Sequence, residues 1–181
     1  MTADATDSQR VAELLGRRPR SRFDVVVRGD DGWPMVIRNE PLLDDGTPMP
    51  TRYWLVDREL NKAIGTLESA GGVRRAEADI DPEVLAQAHA AYAAERDAAL
   101  PAGHTGPRPS GGVGGTRQGV KCLHTHYAWF LVGGDDPVGR WVERHLQTPD
   151  GGASGLGPAI DAAAVPEPAT GLAPGPGGAA E

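Results

Sequence analysis

The chain has 181 residues, and glycine (25) and proline (16) supply more than a fifth of it, about twice their average share; with 39% hydrophobic residues the packed core is small. The formal net charge of −7, from 18 basic and 25 acidic side chains, argues against a nucleic-acid binder. A single cysteine excludes an intramolecular disulfide and a four-cysteine zinc site, no apolar run approaches a membrane span, and the first residues lack a basic-then-apolar signal pattern, so a cytoplasmic protein is expected.

In chain order, residues 6–16 open with the capping types Thr6, Asp7 and Ser8, place Val11, Leu14 and Leu15 at helical spacing, and stop at Gly16. The β-branched run Val25-Val26-Val27 behind Phe23, the turn Asp30-Asp31-Gly32 and the run Met35-Val36-Ile37 predict a hairpin. Residues 41–50 carry three prolines and predict a loop. Tyr53-Trp54-Leu55-Val56 predicts a third strand. Asp57 then caps a helix with apolar face Leu60, Ile64 and Leu67, ended by Gly71-Gly72. Pro82 behind Asp81 starts an Ala-rich helix to about Leu100. A second long loop covers 101–115. The most apolar helix is expected over 120–132, closed by Gly133-Gly134, and Asp136-Pro137 begins a last helix to about Leu146.

These elements predict an α+β domain over residues 1–147, with a small three-stranded antiparallel sheet covered by four to five helices. A sheet of this size needs a cover on its apolar face. The helix over 120–132, with Leu123, Tyr127, Phe130 and Leu131 on one stripe, is the expected cover. Residues 148–181 are Gly, Ala and Pro with acids and no basic residue. They hold too little apolar surface to offset ordering entropy of roughly 1–2 kcal/mol per residue, and a disordered acidic tail is expected there.

Three groups of residues can carry chemistry. His89, Tyr92 and Arg96 share one face of the Pro82 helix; they are a solvated helix surface, the wall of a site, or polar groups that fix a helix crossing. The glycine-rich run 110–119 leads into a helix N-terminus with Arg117 and Lys121 beside it. Free amides and the positive end of a helix attract anions; the other reading is a flexible linker. Cys122, His124 and His126 form the third group. On a helix starting at Val120, Cys122 and His126 lie on one face and His124 points away. No metal-ligand set is complete on that reading, and stoichiometric zinc is not expected.

The segments LGRRPR, LLDDGTPMPTRYWL, AHAAYAAER and GTRQGVKCLHTHYAWFLVGGDDPVG resemble the bacterial domain-of-unknown-function family 501. The resemblance spans residues 8–146 and is most specific over 117–139. The family has no established activity. The resemblance implies a shared pattern of Asp45, Gly46, Thr47, Pro48 and Pro50, then His89, Tyr92 and Arg96, then Lys121, Cys122 and His124. It also implies a genomic neighbourhood of cell-division and polyphosphate-metabolism genes. Combined with the residue chemistry, it leads to an expected pocket for a small anion, phosphate or carboxylate. Arg96, Arg117 and Lys121 would bind the anion, Tyr92, Cys122 and Asp45 would line the site, and His89 or His124 would act in general acid–base catalysis. The alternative is a non-catalytic interaction module with a protein partner from that neighbourhood. Neither reading names a cofactor.

Overall fold

A computed structural model of the protein describes residues 3–147. The expected tail over 148–181 lies outside the described residues. The rest is α+β, in the order α1 (Ala5–Leu15), β1 (Phe23–Arg28), β2 (Pro34–Asn39), β3 (Tyr53–Leu55), α2 (Arg58–Ser69), α3 (Gly72–Asp79), α4 (Pro82–Ala98), α5 (Leu123–Leu131) and α6 (Pro137–Gln147). One 3-10 turn, Val113–Gly115, sits in the long loop before α5. Among the described residues no helix is long and apolar enough to cross a membrane.

The sheet is antiparallel in the order β1-β2-β3, with Val25 opposite Ile37 and Val36 opposite Leu55. The β1–β2 register breaks between Val25 and Val27, so Val26 forms a bulge. A one-residue slip exchanges the two faces of a strand. Ordinary alternation puts Phe23 and Val25 in a small core with Val11, Ile37 and Val56 and puts Val26 in the larger core, and the bulge brings Val27 to the larger core as well. Here the structure departs from a sheet covered on one side. The amphipathic α1 packs on one face through Val11, and α5 lies against β3 on the other.

Most helix boundaries follow from their caps. Asp4, Asp57 and Asp81 each accept amides from the first turn of α1, α2 and α4. Two boundaries differ from expectation. The helix α3 follows α2 directly, because Gly71, in the left-handed region at φ 82°, ends one helix and caps the next; the Gly-Gly pair reads locally as a stop. And α5 begins at Leu123, with Cys122 extended before it. That start has no conventional capping side chain. Acceptors come from elsewhere: Glu68 accepts the N–H of Leu123, the first helical residue, at 2.6 Å, and Glu77 accepts the Val120 N–H just ahead of the helix at 2.7 Å.

Candidate functional site

The face of α4 bearing His89, Tyr92 and Arg96 is buried. Arg96 is 1% exposed. Its guanidinium donates to the carbonyls of Gly111 (2.7 Å) and Pro109 (3.3 Å) and to the Asp97 carboxylate (2.9 Å). His89 Nδ1 accepts the Val113 N–H at 3.1 Å and Nε2–H donates to the Gly119 carbonyl at 3.0 Å. Burial keeps this imidazole below its ordinary pKa, and the ring clasps the loop at Val113 and at Gly119. The Tyr92 hydroxyl accepts the Arg52 N–H at 2.7 Å, and burial pushes it up to about 12. Gly112 packs so closely on His89 that a Cβ there would lie 2.4 Å from the His89 Cβ.

The glycine-rich segment is thus folded onto α4, and several of its amides are spent internally. Gly112 N–H bonds Thr116 O at 2.7 Å and Gly115 N–H bonds Gly112 O at 2.9 Å. Arg117 is exposed and lines neither pocket described in the structure. Asp45 sits in an exposed turn, where its carboxylate accepts the Thr47 N–H at 2.9 Å; that bond holds its pKa below the usual range.

Lys121, Cys122 and His124 come together at the start of α5, on an open pocket of about 290 Å³. Thr51, Trp54 and Leu55 from the β3 region, Gly114 from the 3-10 turn and Thr125 complete its lining. The late start of α5 decides which residues meet. With Cys122 outside the helix, its Sγ lies 3.5 Å from His124 Nδ1, whereas a helix starting at Val120 would put Cys122 on one face with His126 and turn His124 away. His126 turns into the core, where Nδ1–H donates to Asp136 at 2.8 Å with both side chains solvent-inaccessible.

His124 is held from behind. Its Nε2–H donates to the Asn61 carbonyl at 3.1 Å, which leaves Nδ1 for the sulfur and for Glu68 Oε1 at 3.3 Å. Burial raises the Cys122 thiol, but the His124 ring and the Thr125 amide outweigh it and hold the thiol below its ordinary range. Burial also works against a charged His124. The Cys122 sulfur, the Asn61 carbonyl and the Glu68 carboxylate outweigh that and push it up to about 9. Both shifts favour the charged forms of the pair, which sits at the electropositive end of a helix. The Lys121 ammonium reaches the Gly114 carbonyl at 3.4 Å on the pocket wall.

Asn61, Glu68 and Thr125 were not legible as site residues. Glu68 lies 55 positions before Leu123, and only the packing of α2 on α5 brings it in.

The family model described as "Protein of unknown function (DUF501)" matches residues 25–144, which include every residue of this pocket. No curated protein and no solved structure matches the chain.

Proposed function

Because the chain belongs to the DUF501 family, whose description assigns no activity, we propose its function from the site alone: Cys122 is a nucleophile acting on a small substrate that bears a phosphate or carboxylate. The observation that carries this reading is the Cys122 Sγ–His124 Nδ1 pair at 3.5 Å, with the far ring nitrogen tied to Asn61 O and an open pocket in front. A nucleophile, a base and a group that orients the base are the parts such chemistry needs. The sulfur attacks an electrophilic carbon, His124 returns its proton to the leaving group, and Lys121 pairs with the substrate's charge. His89, Tyr92 and Arg96 act one step away, by holding the loop that forms the pocket wall.

Two alkylating agents that differ in charge test this on the full chain. Anionic iodoacetate and neutral iodoacetamide are compared, with the modified residue identified by mass. Cys122 is expected to react at least about tenfold faster than a thiol in the unfolded chain at neutral pH, and to favour iodoacetate. Lys121→Ala should remove the preference for the anion, and His124→Asn should slow both reagents. A folded-state rate no greater than that of the unfolded chain would sink the reading. The interaction module would then be the better account, since so many polar groups of the α4 face are spent on backbone.

A further inference from the structure

We propose that Glu68, Cys122 and His124 form a binding site for a zinc-like divalent ion, which caps the sulfur and silences the site. The silencing rests on the nucleophile reading above; the binding of the ion does not.

The donor atoms of the three side chains all lie within 4.8 Å of one another. The sulfur and Nδ1 are 3.5 Å apart, and Nδ1 and Glu68 Oε1 are 3.3 Å apart. Tetrahedral zinc with bonds of roughly 2.0–2.3 Å places neighbouring ligand atoms about 3.3–3.8 Å from each other. Both separations fall within that range without any rearrangement.

The second layer fits as well. A metal-bound imidazole characteristically donates its other N–H to a carbonyl or carboxylate. His124 already donates Nε2–H to Asn61 O, which aims Nδ1 inward. Glu68 is fixed by the Leu123 amide at 2.6 Å. One thiolate, one imidazole and one carboxylate are a mixed set that suits a borderline ion such as zinc over calcium or magnesium, which take oxygen ligands.

Three protein donors leave a fourth position open, and Cys122 and His124 both line the pocket. A metal there meets water or a small anion, with Lys121 nearby. The ion takes the place of the proton shared between Sγ and Nδ1. A sulfur bound to metal is no longer free to attack carbon, so the ion and the substrate compete for the same atom.

Cobalt(II) is the probe, titrated into the metal-stripped full chain. The expected result is one cobalt per chain with a near-ultraviolet thiolate-to-cobalt charge-transfer band and tetrahedral visible bands, both removed by zinc. Cys122→Ser should abolish the charge-transfer band. Glu68→Gln, which keeps an oxygen for the Leu123 amide, should weaken binding at least about tenfold while the melting midpoint of the apo-protein holds. Zinc should protect Cys122 from iodoacetamide. Absence of the band in a folded chain, or an unchanged band in Cys122→Ser, would overturn the proposal. The two readings fail separately: fast alkylation without cobalt binding removes only the metal site, and cobalt binding with slow apo alkylation removes only the nucleophile.

Discussion

Asp136 accepts the Nδ1–H of His126 at 2.8 Å in the fully buried angle between α5 and α6. Its other oxygen accepts the amides of Val138 and Gly139, at 2.8 and 2.9 Å, and so caps α6. One carboxylate therefore fixes a ring on one helix and the start of the next. This is where the third member of the Cys-His-His cluster goes, and it explains why His126 takes no part in the pocket.

Asp136→Ala should remove the cap and leave a buried N–H without a partner. The expected loss is about 3 kcal/mol, a fall in melting midpoint of roughly 10 °C for a domain this size. Asp136→Asn keeps the capping oxygen, and its amide can donate to Nδ1 once the ring proton moves to Nε2. Because Nε2 is buried without a partner, that shift has a cost of its own; with the cap retained, Asp136→Asn should still lose less than Asp136→Ala and shift the His126 tautomer, visible in ring-nitrogen NMR. Equal losses in the two variants would contradict this account.

Arg96 binds loop carbonyls where an anion had been anticipated. Arg96→Ala strands those carbonyls beside the space vacated by the side chain, and about 3 kcal/mol should be lost by chemical denaturation. Arg96→Lys should recover only part of it, because an ammonium does not span the carbonyls as a planar fork does. Added phosphate should not rescue either variant. Saturable rescue of Arg96→Ala by phosphate would show that the guanidinium serves an anion after all.

Gly112→Ala places a methyl 2.4 Å from the His89 Cβ. Overpacking of this kind costs about 1–3 kcal/mol, and the loop that carries Gly114 should lift from the pocket. Faster amide exchange over residues 110–119 than in the parent is the measurement. Unchanged exchange would mean that the loop does not depend on this contact.

Asp7 holds Arg28 through two bonds, at 3.0 and 2.7 Å, and ties α1 to the end of β1. The Arg28 hydrogen bonds, working against burial, hold the Asp7 carboxyl below its usual pKa. A lowered folded-state pKa contributes stability above the unfolded-state value, near 3.9, and that contribution is lost as pH falls through the lowered value. The parent should exceed Asp7→Asn by about 1 kcal/mol at neutral pH. The gap should stay flat down to about pH 5 and close below about pH 4. A gap that widened on acidification would reverse the assigned sign.

Local chemistry made much of this protein readable. Hairpin, strands and most helices follow from β-branched runs, Asp-Pro starts and Gly stops, since these act over a few residues. The shared face of His89, Tyr92 and Arg96 followed from helical spacing alone. What those side chains touch did not, because spacing tells which way a residue faces along its own helix and nothing of the chain that lies against it.

The sequence by itself determined the fold class and the shared face of His89, Tyr92 and Arg96 on α4, both matters of near neighbours in the chain. Tertiary structure alone decided the rest. The packing of α1 covered the second face of the sheet, and the bulge at Val26 turned Val27 to the larger core. Glu68 and Glu77, supplied by α2 and α3, satisfied the amides ahead of α5 and at its first residue, and left Cys122 just outside the helix. That one boundary turned the sulfur toward His124 and sent His126 to Asp136. The physical reason is that a helix start is set by whatever satisfies its open amides, and here the acceptors come from distant segments that no local pattern records.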